Sequence, residues 1–296
     1  MAEEMHRELR VVIFPGLAHG HITPFVELAK GLASHAGINL VELAMPSVQR
    51  LPTGIETSAV LLPLLTVAMD LLEKPFEVLL RELSPDFVIY DVMQHWVPRV
   101  AIQLPNPIVP ILFVPSGVAN FSFLEGQLDI TSGNLTTEDL TVSPPGFPSL
   151  NVHFTLFEGR RAMEMLYQKN AGRLSVAERA SICLRESWAV ACNTCLELEG
   201  GYVEYFQRLV KRPVYPVGIL MRHLLPPRID DICLQWLDRQ PAASVVVLGF
   251  GSEYILTRQQ FVAMAMGLQE SNASFLWFLR AGNDLLQRFQ DQIRVC

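Results

Sequence analysis

Val11-Val12-Ile13-Phe14-Pro15-Gly16-Leu17-Ala18-His19-Gly20-His21-Ile22-Thr23-Pro24-Phe25 is the stretch on which the fold turns. The apolar run from Leu9 to Phe14 is short and reads as a buried strand. Pro24 to about Ser34 is amphipathic and reads as a helix, with Thr23 placed to cap it and Pro24 suited to its first turn. Between them lies a glycine-containing loop that carries His21. Strand, loop and helix in this order open an α/β unit, and such sheets bind ligands at the carboxyl ends of their strands. An imidazole placed there can take a proton from a hydroxyl near neutral pH.

The same alternation continues along the chain. Gly37 to Ala44 reads as a second strand and 46–55 as a loop. Ala59 to Leu83 is helical in pattern, with breaks at Pro63 and Pro75. Phe87 to Tyr90 is an apolar strand ending at Asp91, Trp96 to Leu104 a helix, and Ile108 to Val114 a buried strand. After a polar, proline-containing loop at Gly133 to Pro148 come a helical region at Phe157 to Ser187, interrupted near Gly172, a strand at Trp188 to Cys192 and a helix at Glu197 to Val210. Pro213 to Pro227 holds four prolines and reads as a linker. A helix at Ile229 to Leu237, a strand at Ser244 to Phe250, a helix at Thr257 to Glu270 and a strand at Ser274 to Leu279 follow, and Ala281 to Cys296 has no clear pattern. The expectation is a parallel sheet with helices on its faces in residues 1–212, a linker at 213–228 and a smaller α/β piece at 229–296.

Composition narrows the function. Half of the 296 residues are hydrophobic and 18% are charged, enough for a large core. The net charge of −7 and the lack of a basic stripe argue against nucleic acid as partner. Met1 to Arg10 has no apolar stretch before Leu9 and does not read as a secretory signal. The longest apolar candidate for a membrane span, Pro105 to Phe123, is broken by Pro107, Pro110, Pro115 and Asn120, so a cytosolic protein is expected. Five cysteines, an odd number spread over a long chain, do not make a disulfide framework, and Cys192-Asn193-Thr194-Cys195 lacks a second pair to complete a zinc site.

Two constellations can carry chemistry. His21 and Asp91 both stand just past the ends of parallel strands and should face one crevice. A carboxylate on one ring nitrogen fixes the tautomer and leaves the other nitrogen as base; the plainer alternative is a histidine at a helix start and an aspartate at a strand end. His19 lies earlier in the same loop, and His95 reads as an exposed residue at a helix start. The second constellation is Phe250-Gly251-Ser252, where a strand-to-helix turn exposes N–H groups and a hydroxyl suited to phosphate, a weak signal alone. There is no GxGxxG, P-loop, HExxH or GxSxG pattern, and a catalytic metal is not indicated.

Taken together, the motifs resemble those of plant family 1 UDP-sugar-dependent glycosyltransferases. Phe14 to Phe25 resembles the family's N-terminal motif, and Ser84-Pro-Asp-Phe-Val-Ile-Tyr-Asp91 with Trp96 resembles its acceptor-domain aspartate segment. Glu197-Leu-Glu-Gly200 with Pro213-Val-Tyr-Pro-Val-Gly218 resembles the approach to its interdomain linker. Cys233-Leu-Gln-Trp-Leu-Asp-Arg-Gln-Pro241 and Ser244 to Glu253 resemble the entry to its donor domain. The wording is most similar to the branch-forming group, which extends a sugar already attached to a flavonoid or terpenoid. The resemblance implies a GT-B fold, with a Rossmann-like acceptor domain followed by a Rossmann-like donor domain. It implies His21 as general base, Asp91 as its partner, Gly251 and Ser252 against the donor phosphates, and UDP-sugar as co-substrate with no metal. Gly20, Trp96, Phe121 and Phe123 are candidates to line an acceptor pocket, although core packing is the default for the three aromatics.

The chain departs from the family pattern in two places. The donor signature, a uracil-stacking Trp followed by a His-Cys-Gly-Trp-Asn-Ser stretch and by sugar-binding acidic and Gln residues, does not occur, and Cys296 falls before its expected start. The segment between Leu40 and Val48 is shorter than in relatives, as though part of a strand and helix were absent, and His21 and Asp91 are only 70 positions apart. The donor domain is therefore expected to be incomplete, with a small core and weakened donor binding. The alternative function is a non-catalytic protein that binds an acceptor or a partner.

Overall fold

The computed structural model describes residues 9–33, 37–51, 62–131, 134–167, 174–220, 232–251 and 256–278, which divide into two compact units. The first unit contains, in chain order, β1 (Val11–Phe14), α1 (His19–Leu32), α2 (Leu62–Leu71), α3 (Glu73–Leu83), β2 (Phe87–Tyr90), α4 (Val97–Gln103), β3 (Val109–Val114), α5 (Ala119–Thr131), α6 (Leu156–Tyr167), α7 (Val176–Glu186), β4 (Ala189–Cys192), α8 (Leu196–Val210) and β5 (Val214–Pro216). Its five strands are all parallel and lie in the order β1-β2-β3-β4-β5.

The period of two along each strand sorts the core into two layers. The register sets Phe14 beside Tyr90, Tyr90 beside Leu112 and Leu112 beside Val190. These side chains, with Val88, Val114 and Cys192, pack in one cluster with Phe76 and Leu80 of α3, Val97 and Val100 of α4, Leu184 of α7 and Phe206 of α8. The alternate set, Ile89, Phe113 and Ala191, packs on Phe25 and Leu28 of α1, with Phe25 edge-on to Phe113 at 4.8 Å. One sheet face thus rests on several helices and the other on α1. Beneath the end of β1, Phe14 stacks on Phe76 at 4.2 Å, and Trp96 meets both rings.

Several boundaries differ from the sequence reading. The strand expected at Gly37 to Ala44 does not form: residues 37–51 have no regular structure, and Leu40 is 95% exposed. Alternating apolar residues supply β-propensity, but a strand needs a ladder partner, and among the described residues this run has none, with Leu43 alone of its side chains packed on the main core. Helix α1 starts at His19 rather than Pro24, and Ala18, not Thr23, is its N-cap. The amide groups of His21 and Ile22 both reach the Ala18 carbonyl, so the helix is under way before Pro24, which forgoes only the bond back to Gly20. The stretch read as a linker from Pro213 contains β5, and the chain stays bound beyond it, with Val217 N–H donating to the Cys192 carbonyl and Leu220 N–H to Asn193 Oδ1. Pro216 is tolerated in β5 because, among the described residues, this strand stands at the edge of the sheet. Helix α5 had no counterpart in the reading. The breaks at Pro63 and Pro75 fall in the first turns of α2 and α3, where proline is accepted. Gly172 and 279–296 lie outside the described residues.

The second unit contains α9 (Ile232–Leu237), β6 (Val245–Gly249), α10 (Arg258–Glu270) and β7 (Ser274–Phe278). Its two strands pair in parallel. Thr257 and Gln260 form a reciprocal capping box that starts α10. The buried core is small: Phe261 stacks on Trp277 at 5.0 Å, with Ala265 beside them.

Phe76 joins α3 to the strand carrying the site loop, so its truncation tests that packing. Phe76→Ala should lower unfolding free energy by about 3–5 kcal/mol in a urea titration, as for other buried aromatic truncations.

Candidate active site

Asp91 is the first residue after β2, and its carboxylate is fully buried. One oxygen, Oδ1, accepts the Met93 N–H at 3.1 Å, and the other, Oδ2, lies 2.6 Å from His21 Nδ1. A carboxylate is acceptor-only, so Nδ1 carries the proton and donates it, and in the neutral ring Nε2 is the basic nitrogen. His21 is the third residue of α1, and its side chain is 33% exposed, so solvent reaches the ring while its partner is sealed. The two side chains meet because β1 and β2 are adjacent, parallel and in register, which brings the loops at their carboxyl ends together.

The loop backbones approach closely around this pair. A Cβ on Gly16 would stand 2.9 Å from both Cγ and Oδ1 of Asp91, so only glycine fits there without displacing the carboxylate. Gln94, fully buried, accepts the Asp91 N–H at 3.1 Å through Oε1 and donates through Nε2 to the Pro15 carbonyl at 2.9 Å. Nothing in the sequence marked Gln94. A glutamine three residues past a strand end has no pattern of its own, and its importance appears only when the two loops are seen side by side.

Other expected residues fall elsewhere. Gly20 is exposed in the first turn of α1 beside His21, with open space where a side chain would project. Trp96 is buried among Phe14 and Phe76, and its Nε1 has no hydrogen-bond partner among the described residues. Phe121, on α5, is half-buried against the main core. Gly251 follows β6 in the second unit with a left-handed φ of 72°, and Ser252 lies outside the described residues. The His19 side chain is likewise not described.

His95 is not an exposed helix-start residue. Its Nδ1 accepts from Arg179 Nη1 at 3.0 Å, and Arg179 forks onto both Asp70 oxygens at 2.7 Å and donates to the Met93 carbonyl at 3.0 Å. Arg179, on α7, is only 1% exposed. A charge this deep needs paired partners, and Asp70, His95 and a backbone carbonyl provide them. Burial holds the His95 imidazole below its ordinary value of 6.5, with the Arg179 charge adding to that and Asp70 opposing it. The Cys192 thiol, pushed up to about 12 by burial, is an inert core group. Among the described residues, no group of three or more His, Cys, Asp or Glu side chains could hold a metal ion, and no helix is long and apolar enough to cross a membrane.

The parallel α/β architecture is that of the GT-B plant glycosyltransferases. In fold the chain matches a Glycyrrhiza uralensis enzyme crystallised with glycyrrhetinic acid 3-O-monoglucuronide, at a TM-score of 0.74 and 20% identity over 97% of this chain and 66% of that one. It also matches a Medicago truncatula enzyme complexed with UDP-glucose, at a TM-score of 0.70 and 19% identity over 98% of this chain and 71% of that one. No family model matches the chain. In sequence it is 31% identical to the inactive UDP-glycosyltransferase 79A6 of Glycine max over 95% of this chain and 96% of that protein. It is 31% identical to UDP-glycosyltransferase 79A6 of the same plant, spanning 65% of it, and to the cyanidin-3-O-glucoside 2-O-glucuronosyltransferase of Bellis perennis, spanning 68% of it. The chain belongs to the plant UDP-glycosyltransferases.

The lowered value of His95 gives stability a pH dependence. As pH falls below 6.5, the unfolded chain takes up the proton that the folded His95 resists, so stability present above 6.5 is lost. The melting temperature should therefore drop more steeply on acidification in the wild type than in His95→Gln, which keeps an acceptor for Arg179 and does not titrate.

Proposed function

We propose that the chain serves transfer of a sugar from a UDP-sugar to a hydroxyl of a small-molecule glycoside, with inversion at the anomeric carbon and His21 as general base. The observation that carries this reading is the 2.6 Å contact between His21 Nδ1 and Asp91 Oδ2 at the carboxyl end of the sheet. An acceptor hydroxyl placed at Nε2 gives up its proton as its oxygen bonds to the anomeric carbon. The bond from that carbon to the diphosphate breaks, UDP leaves with the electron pair, and the imidazolium is stabilised by Asp91. One displacement inverts the centre. Proximity and the oriented base do the work expected of a site without metal.

The first unit is then the acceptor side, with the open space over Gly20 adjoining the base, and the second unit is the donor side, with Gly251 and Ser252 toward the phosphates. Trp96 and Phe121 contribute by packing beneath the site. A flavonoid glycoside acceptor is favoured by relatives named for that chemistry, among them an anthocyanidin-3-O-glucoside rhamnosyltransferase of Petunia hybrida. The cysteine count and spacing favour the cytosol.

A second reading is a protein that binds acceptor or partner without transfer. One observation favours it: the chain spans 96% of a relative whose own name calls it inactive. Calorimetric titration of UDP into the monodisperse chain separates the two. Saturable binding supports transfer, and its absence in folded protein supports the second reading. Where transfer is measured, His21→Ala should reduce kcat by about 10²–10⁴-fold with acceptor binding retained, as for loss of a general base. Unchanged turnover in that variant would remove His21 as the base.

A further inference from the structure

We propose that Gln94 is a positioning residue for this reaction: by bridging the Pro15 carbonyl and the Asp91 N–H, it locks the two strand-end loops together so that Asp91 meets His21. The inference rests on the reading of His21 and Asp91 as base and partner. Its geometry is specific. Pro15 lies on the loop that leads from β1 to His21, and Asp91 begins the loop after β2. Backbone bonds pair the strands as far as Phe14 and Tyr90, and beyond them the Gln94 amide continues the link.

Only one orientation of that amide works. Turned over, it would set its N–H₂ against the Asp91 N–H and its oxygen against the Pro15 carbonyl, two repulsive contacts inside a buried site. The group also suits few other residues. Glutamate keeps the acceptor for Asp91 but faces a carbonyl with a charge, and methionine leaves two buried backbone groups unpaired. Gly16 shows how little slack there is, because the loop backbone passes directly against the Asp91 carboxylate. On the far side, Arg179 holds the same turn through the Met93 carbonyl. The Asp91 carboxylate is thus fixed by its own turn, and Gln94 ties that turn to the partner loop.

The test is proton NMR of the full chain with labelled histidine, following the far-downfield Nδ1–H resonance shared between His21 and Asp91 and assigned by its loss in His21→Ala. A purely structural role for Gln94 would lower the melting temperature and leave that resonance in place. The expected result is a protected resonance in wild type that disappears or moves upfield in Gln94→Met, while the methyl region keeps its native dispersion. Gly16→Ala should have the same effect from the opposite loop. If Gln94→Met does not fold, Gln94→Glu, which keeps the bond to Asp91 and loses the one to Pro15, should show the loss. A resonance present in wild type and unshifted in the folded Gln94 variant overturns the role of Gln94 with the His–Asp pair intact. A wild type without the resonance overturns the pair itself, and the role of Gln94 with it.

Discussion

Phe14 and Tyr90 lie opposite one another in the ladder between β1 and β2, and the geometry of the site is measured from that pairing. A slip of one residue would turn Tyr90 from the helix-covered face of the sheet to the face that rests on α1. It would also carry Asp91 away from the loop that holds His21. The register is held by burial on both faces: Phe14, Tyr90 and Leu112 fill one layer and Ile89 and Phe113 the other. The apolar core therefore does more than stabilise the unit. It sets, through alternation along short strands, which loop carboxylate meets which imidazole.

The turn from Asp91 to Trp96 concentrates several unlike tasks in a few residues. Asp91 faces the imidazole, Gln94 faces the neighbouring loop, Met93 and His95 face the buried guanidinium of Arg179, and Trp96 faces the aromatic core. Each task draws on a different interaction, so the turn is held from the site, from the sheet and from the helices at once. Such over-determination is what preorganised chemistry requires, because a carboxylate free to rotate would stabilise the imidazolium only part of the time.

Much of this was legible in the sequence. Short apolar runs at 9–14, 87–90 and 108–114 read as buried strands of a parallel sheet, and His21 and Asp91 announced themselves by standing just past strand ends. What was not legible depended on partners distant in the chain. Gly37 to Ala44 has the alternation of a strand and no ladder to join. Val214 to Pro216 lies in a proline-marked stretch and forms a strand that, among the described residues, is paired on one side alone, which leaves room for Pro216. Nothing in the sequence marks Arg179, because its partners Asp70 and His95 lie far away in the chain. Helix α1 began earlier than its proline suggested, and that shift placed His21 inside the first turn rather than in a loop.

Strand β1 carries the loop that ends in His21, yet among the described residues it is hydrogen-bonded on one side alone. The outermost strand of a sheet is where local opening begins, at a free-energy cost below that of global unfolding. Fraying of β1 would part the imidazole from its carboxylate while β2, β3 and β4 stayed folded. The His21–Asp91 contact therefore exists only while this strand is closed, and its population follows that of the closed strand. A segment that paired with the flank of β1 left unpaired among the described residues would raise that population without touching a single group at the site.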